Sequence, residues 1–223
     1  MEKKSAAIYL AHLNPLTNSH VKIIQTLLDR EYVVYVFPVI FLKNGIEVNT
    51  KSFPFSYEVR KMMIRSVFGD EVRVQPEYTF TSPFIKYLPP LLSPISWKIR
   101  NNILKPIKES NFISYTGDRA ERYVLSLYRL NPIKSSRLEI SASKVKEMIF
   151  KEIEDSSKQN NKIDEDSVHP KSTFEKNIGW EHFVPKETIS IIKQNWKNLE
   201  MFVRSKDETI KIMGMKLPKE GLL

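Results

Sequence analysis

Apolar residues open the chain as a short run and then recur at helical spacing. Ala6-Ala-Ile-Tyr-Leu10 has the length of a buried strand, and Val21, Ile24, Leu27 and Leu28 share one helical face. The polar stretch between them holds Asn14-Pro15, a turn dipeptide, and Thr17, a helix-capping residue, so residues 6–28 predict strand, loop, helix. The same alternation continues. Tyr32 to Phe37 predicts a second strand, 38–50 a loop, Ser56 to Phe68 a capped helix closed by Gly69, and Glu71 to Val74 a third strand. Asn111 to Tyr115 and Arg137 to Ile140 predict further strands, separated by a helix over 120–128 and a turn at Asn131-Pro132, and a helix follows over 141–150. Strands that are apolar throughout and alternate with helices imply a parallel sheet covered on both faces.

Three stretches break the pattern. Residues 81–110 combine Pro83, Pro89, Pro90, Pro94 and Pro106 with Trp97 and several Leu and Ile, too apolar for disorder and too proline-broken for one long helix. They predict an ordered insertion, with a flap over the site as one role open to it. Residues 151–176 are mostly Lys, Glu, Asp, Ser and Asn and predict a mobile loop, because so few apolar groups cannot offset the entropy of ordering. Residues 177–223 regain apolar spacing over 188–201 and predict a helical segment that packs on the same domain, followed after about 204 by a basic tail.

The formal net charge of +9 calls for an anionic partner: nucleic acid, a membrane surface or a phosphorylated small molecule. Without a long Lys/Arg block or zinc-finger spacing, no dedicated nucleic-acid site is expected. No run approaches the roughly 20 apolar residues of a membrane helix, and Met1-Glu-Lys-Lys4 is not followed by a signal-peptide core. The chain therefore reads as cytoplasmic, with no membrane partner. Its lack of cysteine excludes disulfides and thiolate metal sites.

One charge class, phosphate, is addressed by particular residues. His20 falls in the first turn of the helix that Thr17 caps, so a phosphate there would meet Thr17, His20 and unpaired backbone amides at a positive dipole end. A histidine in that position also serves simply as a cap. At 140–146, Ile-Ser-Ala-Ser-Lys-Val-Lys sets two hydroxyls and a cation at another helix start, which likewise suits either a polyphosphate or a plain capped helix.

Together, these two stretches resemble the signatures of the nucleotidylyltransferase superfamily. Thr17-Asn18-Ser19-His20 resembles its (H/T)xGH motif, with Ser19 in place of Gly and Ala11 in place of the Gly that ends the strand. Ile140 to Lys146 resembles ISxTxxR, with Lys146 in place of Arg. The Pro54-Phe55-Ser56 helix start with Arg60, and the run from Trp180 to Val184-Pro185, are similar to archaeal-type nicotinamide-nucleotide adenylyltransferases. Lys51 stands where phosphopantetheine adenylyltransferases carry a substrate lysine.

The resemblance implies a Rossmann-like α/β domain over 1–150 that transfers a nucleotidyl group, most simply adenylyl, from a nucleoside triphosphate to a small phosphorylated acceptor, releasing pyrophosphate. It implies catalytic roles for His20, Thr17 and Lys51. It assigns nucleotide binding to Ala11, His12, Asn14, Gly117, Asp118, Ile140, Ser141, Ser143 and Lys146, and acceptor binding to Lys43 and Arg60. Mg2+ is expected to travel with ATP, and a homo-oligomer is compatible with the reading. Nicotinamide mononucleotide, and hence NAD biosynthesis, ranks first among acceptors, ahead of 4′-phosphopantetheine and a cytidylyl transfer. A nucleotide-binding protein that has lost catalysis is the alternative that Ala11, Ser19 and Lys146 keep open.

Overall fold

The computed structural model describes residues 5–89, 92–116, 119–134, 141–160, 178–212 and 215–223. In chain order, β1 (Ala6–Ala11), α1 (Asn18–Asp29) and β2 (Val33–Pro38) form the first strand-helix-strand unit. A small sheet follows, made of β3 (Ile40–Lys43), β4 (Ile46–Glu47) and, after α2 (Tyr57–Phe68) and β5 (Val72–Val74), β6 (Thr79–Thr81). Then come α3 (Pro94–Leu104), β7 (Phe112–Thr116), α4 (Arg119–Leu127), β8 (Pro132–Lys134) and α5 (Ala142–Asn160). The chain closes with α6 (Lys186–Gln194), α7 (Trp196–Arg204), β9 (Thr209–Ile212) and β10 (Met215–Pro218).

The main sheet has the order β5-β2-β1-β7-β8 with every pair parallel, which is the Rossmann-like architecture the strand-helix alternation predicts. β1 is central, with Ala6 opposite Val33 on one side and Phe112 on the other. Successive side chains of β1 point to opposite faces, so both faces must be covered. Ala7 and Tyr9 pack with residues of α1, α2, α5, α6 and α7, including Ile24, Met63, Val145, Ile192 and Leu199. Ala6, Ile8 and Leu10 pack with Ile99 and Ile103 of α3 and with Leu125 and Tyr128.

Four expectations change. Residues 38–50 carry β3 and β4 rather than a loop, because Ile40 and Phe41 are buried and Phe41 packs with Phe53 and Phe84. The 81–110 insertion is no flap over the site: α3 covers the second face of the main sheet, where Ile99 and Ile103 are buried. The expected mobile loop does not begin at 151, since α5 runs to Asn160. Ile153 continues the four-residue stripe of Val145 and Ile149, and Trp180 Nε1 donates to Glu152 at 2.9 Å. One apolar stripe is enough to hold an otherwise polar helix; residues 161–176 lie outside the described residues. Finally, 177–223 is not wholly helical, and its end is no loose tail. β9 and β10 pair as a hairpin that buries Leu217, and the amides of Phe84 and Ile85 donate to the carbonyls of Gly221 and Leu222 at 2.8 and 2.9 Å.

No helix among the described residues is long and apolar enough to cross a membrane.

Candidate active site

In a parallel sheet the ends that can hold a ligand are the carboxyl ends, most of all where neighbouring strands leave in opposite directions. Here that point lies between β1 and β7, and the turn from β1 into α1 sits at it. Leu13 turns the chain with φ of 50°, its side chain buried, and Asn14 then ties the turn to the next loop. The Asn14 amide nitrogen donates to the carbonyl of Phe55 at 2.8 Å and its oxygen accepts from the Phe55 amide at 3.2 Å. Among the described non-glycine residues with positive φ, neither Ala11 nor Ser19 is found, so replacing glycine there imposes no left-handed strain.

Thr17 caps α1 and His20 returns the favour. The His20 amide donates to Thr17 Oγ1 at 3.5 Å, while the Thr17 amide donates to His20 Nδ1 at 3.1 Å. A ring nitrogen that accepts a backbone proton carries none of its own, so the neutral ring holds its proton on Nε2. Burial pushes the His20 pKa down to about 4, which keeps the ring neutral near pH 7. The result is an oriented N–H donor beside a helix start whose first turn holds no acidic residue to cancel the dipole.

α5 offers the second helix start. Ser141 caps it by accepting from the Lys144 amide at 3.3 Å, Ser143 is exposed in the first turn, and again no acidic residue occurs there. Lys146, one turn further, is buried. Its ammonium donates to the carbonyl of Ser52 and lies 5.7 Å from the Phe53 ring centre. Burial, reinforced by the nearby Lys216 charge, lowers its pKa to about 8.

His12, directly after β1, stacks on Phe53 with ring centres 4.6 Å apart. Burial first, then the charges of Arg60, Lys146 and Lys216 and the neighbouring His20, hold its pKa down at about 3. His12, His20, Arg60, Lys146 and Lys216 therefore gather around the carboxyl end of β1, and an anion would be attracted to the charged ones together.

The remaining sequence candidates are placed elsewhere or used differently. Arg60 is 2% exposed and fully engaged: it donates to the carbonyls of His12 and Val39 at 2.8 Å each, to Ser56 O at 3.3 Å and to Glu47 at 3.0 Å. It braces the ends of β1 and β2, as Asn14 braces the turn. Lys51 donates to Val203 O at 2.9 Å, near the end of α7, and Lys43 forms an exposed pair with Glu220 at 3.2 Å. Gly117, Asp118 and Ile140 lie outside the described residues.

Sequence reasoning missed Ser52, Asp207 and Lys216. Ser52 Oγ donates to Asp207 at 2.7 Å, its amide donates to the same carboxylate at 3.2 Å, and Lys216 donates to Ser52 Oγ at 3.1 Å. Nothing in the local pattern announces these contacts, although the alternation in Thr209-Ile-Lys-Ile212 is the signal of the strand that precedes Lys216. A cavity of about 270 Å³, lined in part by Asn49, Pro54, Ser56 and Asn198, opens beside the start of α2.

No family model matches the chain. No curated protein matches it by sequence. Solved structures do match. A bifunctional NMN adenylyltransferase/ADP ribose pyrophosphatase from Francisella tularensis superposes with a TM-score of 0.57 at 13% identity, over 89% of this chain and 53% of that one. The same protein complexed with AMP and a manganese ion gives 0.55 at 15%, over 89% and 52%. The likeness is one of fold. The chain spans about half the length of these two neighbours. A nicotinic acid mononucleotide adenylyltransferase from Plasmodium falciparum, complexed with NaAD, covers 87% of this chain and 98% of its own at 15% identity, with a TM-score of 0.44.

Proposed function

We propose that the chain is a nucleotidyltransferase that moves an adenylyl group from ATP to the phosphate of a mononucleotide acceptor. In the reaction, an acceptor phosphate oxygen attacks the α-phosphorus, the bond to the bridging oxygen of the β-phosphate breaks, and pyrophosphate leaves with that electron pair. Such in-line displacement asks the protein for alignment and charge neutralisation more than for covalent chemistry.

The observation that carries the reading is the paired Thr17–His20 start of α1, with a neutral imidazole whose tautomer a backbone amide fixes. His20 Nε2–H and the α1 amides hold the α-phosphate and stabilise its growing charge, while Ser141, Ser143 and Lys146 hold the outer phosphates. His12 and Asn14 shape this turn rather than bind through their own polar groups. The acceptor side is assigned to Lys51, whose ammonium has further donors beyond the one given to Val203. Nicotinamide mononucleotide is the first-ranked acceptor, which the nature of the structural neighbours supports.

Among the described residues no three His, Asp or Glu side chains cluster as a metal cage, and the groups at the site are cations and hydroxyls. These would hold the phosphates of a triphosphate that brings its own magnesium, and the metal would then supply further charge neutralisation on the leaving pyrophosphate. Nucleotide binding without transfer is the second reading, favoured by Lys146 and Lys51 both donating to main-chain carbonyls.

The test is pyrophosphate release from ATP or CTP with magnesium, run against nicotinamide mononucleotide, nicotinate mononucleotide and 4′-phosphopantetheine. Turnover with ATP and either pyridine mononucleotide is expected. Turnover only with phosphopantetheine or CTP replaces the substrate assignment, and triphosphate binding without release establishes the second reading.

A further inference from the structure

Lys146 stands where the resembling motif has an arginine, and a lysine there gives up the guanidinium's second donor. The C-terminal hairpin brings a second ammonium to the same spot. Lys146 donates to the carbonyl of Ser52, and Lys216 of β10 donates to the hydroxyl of that same residue at 3.1 Å, so two cations from different elements converge on one residue. Neither forms an ion pair with a carboxylate among the described residues. Asp207, also at the junction, is hydrogen-bonded to the Ser52 amide and hydroxyl.

Two ammonium groups held together repel each other, as the lowering of the Lys146 pKa, by burial first and then by Lys216, reflects, and a polyanion that bridges them removes that cost. Their positions also differ: Lys146 is buried, whereas Lys216 is largely exposed at the rim, a floor and a lip for an extended chain of phosphates. Lys146 lies 5.7 Å from the centre of the Phe53 ring on which His12 stacks, which sets the pair beside the β1–α1 turn.

Resting on the adenylyltransferase reading, we infer that Lys216 is a second polyphosphate-binding residue, which with Lys146 takes the outer phosphates of the triphosphate and supplies from the hairpin the contact that a single lysine cannot. Lys216 leaves Ser52 Oγ to bind the phosphate oxygens, and Asp207 keeps the Ser52 turn in place.

The experiment is equilibrium titration of the full chain with ATP, AMP and inorganic tripolyphosphate. Five proteins are compared: the parent, Lys216→Gln, Lys216→Arg, Lys146→Ala, and Lys219→Gln as a control that removes an exposed charge paired with Glu208 rather than bonded to Ser52. Lys216→Gln is expected to weaken ATP and tripolyphosphate about 10-fold or more, the scale of a charge-assisted contact, with AMP unchanged. Lys216→Arg is expected to restore binding and Lys219→Gln to be silent. Parent-like ATP affinity in a folded Lys216→Gln protein overturns the inference. So does an equal loss for ATP and AMP, which would mean that Lys216 only braces the Ser52 turn. A parent protein that binds neither ATP nor tripolyphosphate overturns the adenylyltransferase reading as well, and is thereby distinguished from failure of Lys216 alone.

Discussion

The turn from β1 into α1 and the junction at Ser52 both concentrate positive potential, but they are assembled over very different reaches of chain. In the turn, Thr17 and His20 orient each other across three residues. At the junction, Ser52 receives Lys146, Asp207 and Lys216 from 94, 155 and 164 residues away. The first arrangement is dictated by helix geometry, which places the N-cap and third helical residue together whatever the rest of the fold does. The second exists only once α5 and the C-terminal hairpin have docked. A local site can be read from spacing; a junction has to be seen.

Arg60 offers the sharpest break between scaffold and site, and the largest expected effect. Arg60→Ala leaves Glu47 and the carbonyls of His12 and Val39 without their donor, a loss of about 3–5 kcal/mol for one partner of a buried pair. Urea unfolding should show that drop. A stable variant with only a raised KM would return Arg60 to the acceptor site.

His20→Ala comes next, because it removes one preorganised donor from the transition state. Turnover should fall about 10²-fold or more, with a small change in Tm. Unchanged turnover in the folded variant would reduce His20 to a helix cap.

Lys146→Ala should weaken triphosphate binding by about 1.5–3 kcal/mol, roughly 10- to 150-fold, and monophosphate binding far less. Lys146→Arg should retain it. Since the pKa of Lys146 is lowered to about 8, triphosphate affinity should also decline as pH rises through that value and the ammonium deprotonates. An affinity flat from pH 7 to 9.5 would separate Lys146 from the phosphates.

Acid stability tests the burial of the two histidines. His12 and His20 stay neutral in the folded protein down to about 3 and 4, whereas their unfolded value is 6.5. Unfolding therefore takes up protons below about pH 6.5, and stability should fall on acidification from there to about pH 4 through both histidines and on to about pH 3 through His12. His12→Phe should flatten the decline of the urea midpoint between pH 7 and 5; an identical slope would mean that His12 is solvated.

What was legible in the sequence follows the same division. The parallel sheet was readable because Ala6–Leu10 and Tyr32–Phe37 are apolar on both faces and a helix pattern lies between them. The caps at Thr17, Ser56 and Ser141 were readable because each precedes its helix by a fixed offset. The scaffold role of Arg60 was not, since a helix-face arginine reads the same whether it meets solvent or two buried carbonyls. The end of α5 is not legible in composition, because the polar average over 151–176 hides the continuation of one apolar stripe at Ile153. Lys216 was invisible for the reason Ser52 was: its partner lies in a different part of the chain.

The central claim is transfer of the adenylyl group itself, and following the α-phosphate tests it most directly. With ATP labelled at the α-phosphate, magnesium and nicotinamide mononucleotide, the label is predicted to appear in a dinucleotide at one pyrophosphate released per product. Label that stays in ATP across all the phosphorylated acceptors, or that appears as ADP, would contradict the account.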